Sequence, residues 1–445
     1  MQNKLLLEIN NLGPINKADL DIGKINVIVG RNSTGKSTSS KFLFCLLTSV
    51  SEEGIFLANA DIKTRLENLV SLLKFNIFDE NSYSRDDLNH IEELLNNSSS
   101  NELFEEVCYK LYELSKGFKS LKWKENYLKR LKRIHELIKI NKNRDSRYVK
   151  TLFSLLISEY ADSLESFTGA YVDFKGIVDN HSISHKIYLD GDYGQGNMDD
   201  EFYDYLNYEN IVYIDSFSIL ELKDNERFSR ISEEKNQFMD DEIPYHIQLL
   251  NRKIKNTNKK GIYDKEYYKE LDDFKNKIDD MIGGDFKYDK ERNRFILETN
   301  SGSYSMQNTS SGLKQLGIIQ LLLKNRELTE NSFLILDEPE VNLHPEFQIK
   351  LAQILVLAAK DLNITVYMNT HSPLLAEAIE VYSKYYKFYN QTNFYLTHQN
   401  EMSGKFDYEL VDEMDIMEIY DNLGNPFDTL EEIRFKTELR DDFED

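Results

Sequence analysis

Three short stretches carry side chains whose types and spacing suit phosphate chemistry. The first is GRNSTGKST, Gly30 to Thr38, with G-x-x-x-x-G-K-S spacing. Its glycines let backbone N–H groups wrap a β-phosphate. Lys36 supplies a point charge between β- and γ-phosphates, and the Ser37 hydroxyl suits Mg²⁺. Gly30, Asn32, Ser33, Thr34, Gly35, Lys36, Ser37 and Thr38 are therefore the expected contacts of a nucleoside triphosphate. A Gly-rich strand-to-helix turn without a ligand is the alternative, but such a turn does not need the Lys-Ser pair. The second stretch is FLILDEPEVNLHP, residues 333–345. Four apolar residues end in Asp337, placed to hold Mg²⁺ through water, and Glu338 follows as a general base for an attacking water. Glu340 reads as a solvated carboxylate. The third is ITVYMNTHSP, residues 364–373. Its strand ends in Thr370 and His371, a sensor for the γ-phosphate, and Pro373 opens the next helix.

A fourth stretch, NTSSGLKQLG at 308–317, sets Ser310, Ser311 and Gly312 ahead of the apolar spacing Leu313, Leu316, Ile319 and Leu323. That is a helix N-terminus, whose free N–H groups can hold an anion. The plain alternative is a well-capped helix.

The elements that must position these residues alternate between strand and helix. LLLEIN and the segment around Ala18 to Ile22 read as paired strands joined by Gly13-Pro14, and INVIV (25–29) as a buried strand. YVDFKGIV, HKIYLDG, IVYIDS, SFLILD, ITVYMN and FYLTH supply further strands, and FKYDKERNRFILET a hairpin. The expected fold class is α/β, a P-loop nucleotide-binding domain with a mixed sheet and helical insertions. Residues 1–59 and 166–224 form its first part and 283–400 its second. A helical insertion (60–165) and a helical arm (225–282) interrupt it, and 401–445 is an acidic extension.

Composition narrows the classes. The chain has 445 residues, 40% of them hydrophobic, and a formal charge of −23, which opposes general attraction to nucleic acid or anionic membrane. Cys45 and Cys108 lack metal-ligand spacing and the eight histidines do not cluster, so neither a disulfide framework nor zinc is signalled, and a reducing cytoplasm fits. No apolar run nears the roughly 20 residues of a membrane span. Charge is uneven, however. Lys116 to Lys150 holds 13 Lys or Arg against three acidic residues, whereas the segment from Glu401 onward holds 16 acidic and four basic residues. The basic segment is either a solvated helix face or a contact for nucleic acid or an acidic partner.

Taken in order, the P-loop, S-S-G-x-x-Q at a helix start, hhhhDE and T-H-S-P are similar to an ABC-type ATPase. LDEPEVNLHP and NTHSP resemble the OLD (overcoming lysogenization defect) family and related SMC-like ATPases of prokaryotic defence. The resemblance covers about residues 1–55 and 166–400. It implies Mg²⁺-dependent ATP hydrolysis. It also matches Ser310, Ser311, Gly312 and Gln315 to the ABC signature, which binds the γ-phosphate held by the P-loop of a second subunit; a homodimer with two ATP molecules at its interface follows, or a higher oligomer built on it. The family's Q-loop glutamine has no match, since Ser216 and its neighbours supply no Gln. OLD nucleases continue into a Toprim domain. Residues 372–445 read instead as two short strands, a helix at DIMEIYDNLG and an acidic tail, with Asp412, Glu413 and Asp415 as a solvated helix start. No nuclease activity is expected. The chain looks like the standalone ATPase components of antiphage systems such as PARIS or Septu, in which a separate effector protein carries the toxic chemistry. Two other readings remain: a DNA-clamping maintenance ATPase of SMC or RecF type, and a scaffold for which ATP is only structural.

Overall fold

The computed structural model describes residues 4–76, 85–97, 99–118, 120–160, 167, 169–178, 181–190, 193–195, 206, 208–215, 243–256, 265–305, 309–411 and 419. Its framework is an 11-stranded sheet in the order β6-β5-β4-β1-β2-β14-β13-β3-β12-β11-β7. β1 (Lys4–Asn10) and β2 (Ile15–Ile22) form the expected antiparallel pair, with Leu5 opposite Ile22. β4 (Ala170–Val178), β5 (His181–Asp190) and β6 (Tyr193–Gln195) extend that side, also antiparallel.

The other side is parallel: β13 (Thr392–Gln399), β3 (Ile25–Val29), β12 (Thr365–Thr370), β11 (Ser332–Asp337) and β7 (Asn210–Ile214) run side by side. β14 (Phe406–Val411) joins the halves, antiparallel to β13 and parallel to β2. Five pairings are parallel and five antiparallel, so the sheet is mixed, as its sequence pattern implies.

Strand alternation sends side chains to two cores. Val27, Leu334, Leu336, Val366 and Met368 point into one, and Ile28, Phe333, Ile335 and Tyr367 into the other. On the second face lies α1 (Lys36–Val50), burying Phe42, Phe44 and Leu46, with α6 (Arg144–Tyr160) beside it. The first face takes α9 (Ser311–Lys324), α10 (Pro345–Asp361) and α11 (Pro373–Tyr385). Being covered on both faces explains why β3 and β11 are mainly apolar and buried throughout, with the buried Asn26 as the one polar residue of β3.

Between α1 and α6 run α2 (Glu52–Asn76), α3 (Arg85–Asn97), α4 (Asn101–Ser115) and α5 (Leu121–Lys142). They enclose a core of their own around Ile62, Leu66, Phe104, Leu111 and Ile134. Two further helices, α7 (Tyr245–Lys255) and α8 (Lys265–Ile282), precede a small sheet. That sheet adds β10 (Gly302–Ser305) to the expected hairpin of β8 (Asp285–Asp289) and β9 (Arg294–Thr299). Gln320 of α9 ties it down, accepting from the Phe286 N–H at 2.6 Å. The DIMEIYDNLG segment, with Asp412, Glu413 and Asp415, lies outside the described residues apart from Ile419, which is buried in the first core.

Candidate functional site

Four parallel strands end at one edge, and their ends supply the candidate residues. β3 runs straight into the Gly30–Lys36 loop. The turn needs unusual backbone: Ser33 has φ 66° and Gly35, at the N-cap of α1, φ 92°. A Cβ on Gly35 would sit 2.6 Å from Ile15, and one on Gly30 only 1.9 Å from Thr397 Oγ1. Glycine is thus required at both positions by space, and at Gly35 also by φ. Asn32 and Ser33 face solvent, Thr34 is buried, and Ser37 and Thr38 are half-buried in the first turn of α1. Lys36 is buried and folds back over the loop, its Nζ donating to Gly30 O at 2.9 Å and Arg31 O at 2.7 Å. Burial lowers its pKa, opposed by the nearby charges of Glu338, Asp337 and Glu340.

The chain order β3, β11, β12 is not the spatial order. β12 lies between the other two and ties both ends together: the Gly30 N–H donates to Thr370 O at 3.3 Å and the Glu338 N–H to Asn369 O at 3.0 Å. Asp337, buried at the end of β11, is gripped from both sides. Asn369 Nδ2 donates to its Oδ1 at 2.8 Å and Tyr213 OH to its Oδ2 at 3.0 Å. The same two side chains reach Ser40 of α1, at 2.9 Å and 3.1 Å. This network fixes the carboxylate relative to the helix that carries Ser37.

Glu338 adopts φ 48°, left-handed backbone that a non-glycine residue rarely takes. The turn directs its carboxylate toward His371, whose Nδ1 lies 3.7 Å away. Both side chains are about one-third exposed, at 33% and 38%. Glu340 is not the solvated carboxylate its sequence position suggested. It is 6% exposed, and its Oε1 accepts the His371 N–H at 2.7 Å and lies 3.1 Å from His371 Nδ1. Its Oε2 is buried without a partner. A buried carboxylate survives only when its partners hold it, so Glu340 orients His371. Ser372 N-caps α11 and Pro373 occupies its first turn, as the sequence indicated.

Tyr213 and Asn369 were not singled out in the sequence. Their signal is a polar side chain inside an otherwise apolar strand, at the level where Asn369 pairs with Asp337 and Tyr213 with Ile335.

The Ser310–Gln315 stretch is built separately. Ser310 is the exposed N-cap of α9, and its side chain bonds no helix N–H. Gly312 is a packing glycine: a Cβ there would meet Phe347 of α10 at 2.7 Å. Gln315, 6% exposed, has a buried Oε1 without a partner. The free N–H groups of the first turn remain the stretch's anion-binding feature. The side chain of Ser311 lies outside the described residues.

Residues 6–376 match a protein-family model described as an AAA ATPase domain. The chain belongs to that family. An AAA ATPase domain implies nucleotide binding, and Gly30–Thr38 is the only G-x-x-x-x-G-K-S stretch in the sequence. No curated protein matches the sequence. Similar solved structures include an SMC head bound to the C-winged helix domain of ScpA (11% identity over 93% of this chain and 98% of that one, TM-score 0.42). Another is the SMC head domain from Thermotoga maritima (11% identity over 93% and 100%, TM-score 0.38). A third is an Smc head with an extended coiled coil, bound to the C-terminal domain of ScpA, from Pyrococcus furiosus (11% identity over 97% and 100%, TM-score 0.42).

Within this AAA ATPase domain the donor set fits Mg²⁺ with a triphosphate. Among the described residues no group of three or more His, Cys, Asp or Glu could cage a metal. A hard cation held by one carboxylate, one hydroxyl and substrate phosphates needs no such cage. Asp337 and Ser37 would be those two ligands, and Lys36 the cation that would exchange two loop carbonyls for phosphate oxygens. Among the described residues no single helix is long and apolar enough to cross a membrane.

Proposed function

We propose that the protein binds ATP at Gly30–Thr38 and hydrolyses it, acting as a homo-oligomeric switch that controls a separate effector in antiphage defence. The observation that carries hydrolysis is Glu338, held by left-handed backbone at the end of a buried strand and facing His371. Bound Mg²⁺ would draw negative charge off the transferring phosphoryl group. Glu338 takes the proton of the attacking water. His371, oriented by Glu340, stands at the γ-phosphate end and registers its departure. Lys36 fixes the phosphates.

The second half of the site is offered outward. The first turn of α9 has free N–H groups, and Gln315 has a buried acceptor without a partner. The N–H donors suit the γ-phosphate on another copy of the chain, so ATP becomes part of a dimer interface and hydrolysis loosens it, whereas the Gln315 oxygen calls for a donor. The motif strings shared with OLD-like ATPases support the defence setting, a cytoplasmic location and the separate effector. Phosphate release with and without Mg²⁺ tests the reading; wild-type protein that binds ATP without multiple turnovers would leave ATP as a structural ligand of a scaffold.

One observation favours nucleic acid as a further ligand. Lys129, Arg130, Lys132 and Arg133 are exposed on α5, and Tyr109 and Tyr112 line a groove of about 460 Å³ beside Lys132. Cations beside exposed aromatic faces suit single strands. Salt-dependent binding that survives neutralising these four residues would remove this interface.

A further inference from the structure

A second polar cluster lies behind Asp337, and its centre is His246 of α7. The ring is 1% exposed and bonded on both nitrogens: Nδ1 to Glu159 Oε2 at 2.6 Å and Nε2 to Asp215 Oδ2 at 2.9 Å. Glu159 is near the end of α6, and Asp215 directly follows β7. Three consecutive residues of α6 make polar links here. Ser158 Oγ accepts the Tyr245 N–H at 3.0 Å, Glu159 Oε1 accepts the His246 N–H at 2.9 Å, and Tyr160 OH donates to Thr38 O at 2.6 Å. The end of α6 is thereby fastened both to α7 and to the first turn of the phosphate-loop helix.

The His246 ring packs on Tyr213, 4.7 Å between centroids, and Phe44 meets both rings edge-on, at 5.7 Å from Tyr213 and 6.2 Å from His246. Tyr213 is the residue whose hydroxyl holds Asp337 Oδ2. Packing in this three-ring cluster keeps the Tyr213 ring, and so its hydroxyl, in one place; a smaller side chain at His246 leaves the ring room to tilt away from Asp337. We infer that His246 is a positioning residue for Asp337, acting through Tyr213, and that it couples the α2–α6 helices to the Mg²⁺ carboxylate. Glu159 is the link by which a displacement of those helices, on binding whatever partner they meet, is felt at the strand ends. Burial cannot explain the arrangement alone, because an apolar side chain in place of His246 would fill the space without two carboxylate bonds, one of them to the buried Glu159.

The inference rests on the nucleotide reading of Gly30–Thr38, and its test separates the two. The full chain is titrated with Mg²⁺ at a fixed concentration of a fluorescent ATP analogue, and binding is read directly. Expected results are an approximately tenfold rise in the Mg²⁺ concentration for half-maximal binding in His246→Gln and in Tyr213→Phe, with no further rise in the double variant, because both loosen one hydrogen bond to Asp337. Glu159→Gln, a milder change, should shift it in the same direction. Metal-free binding of the analogue stays at the wild-type level in all of them. A Mg²⁺ midpoint that does not move, or shifts that multiply in the double variant, would overturn the inference while leaving nucleotide binding intact. Wild-type protein that binds no analogue would end the nucleotide reading, and this one with it.

Discussion

The two polar ends of the fold are built from different groups. At the strand ends, Asp337 has two donors, Glu340 carries His371, and Lys36 rests on two carbonyls, while Glu340 Oε2 and Asn369 Oδ1 are buried without partners. At the start of α9, the Ser310 side chain caps nothing and the buried Gln315 oxygen has no partner. Both ends thus leave buried polar atoms unpartnered, but the first gathers carboxylates and a lysine while the second presents a helix start with free N–H groups. Under the proposed function the first end does the chemistry and the second the association, so mutation should part them.

The largest effect should come from the strand-end site. Glu338→Gln removes the base without altering shape, and turnover should fall by roughly 10² to 10⁴-fold with ATP binding retained, measured as phosphate release beside analogue binding. Ser310→Arg puts a cation into the offered helix start. It should leave analogue binding unchanged and abolish ATP-driven association; normal hydrolysis in that variant would erase the contrast between the two ends. Gly312→Asp reads less cleanly, because any Cβ there meets Phe347. Glu340→Leu leaves the His371 N–H unpaired at a buried spot, which costs about 10 to 100-fold in turnover by the penalty for such a group, with KM for ATP little changed. A rise in KM as well would assign Glu340 to ground-state binding.

The smallest effect is a pH dependence of stability. The two carboxylates outweigh burial at His246 and raise its pKa from 6.5 to about 9. Raised in the folded state, it contributes stability fully below pH 6.5 that is lost as pH climbs through about 9. Glu159, Asp215 and Tyr213 face the ring, with Lys41 and Cys45 of α1 acting on those carboxylates. Thermal midpoints should therefore decline across that window, and more gently in His246→Asn; equal slopes would deny the ring its charge.

Much of this was legible in the sequence because the chemistry is local. GRNSTGKST, the run into Asp337-Glu338 and NTHSP each hold their signal within ten or so residues, and buried parallel strands announce themselves as apolar runs. What was not legible depends on spatial order. Asn369 and Tyr213 matter because β12 and β7 flank β11, a fact no local pattern records. Glu340 was misread for the same reason: two residues past a known site, nothing local distinguishes a carboxylate turned inward from one in solvent. The His246 cluster joins residues from α6, α7 and the end of β7, separated by tens of positions in the chain.

The central claim is that α9 of one copy completes the ATP site of another, and the molar mass of Glu338→Gln measured by light scattering, with and without Mg²⁺-ATP, tests it directly. The account predicts a monomer without ATP, a dimer or a multiple of it with ATP, and a persistent monomer when Ser310→Arg is added. A mass indifferent to ATP, or a double variant that still assembles, would contradict it.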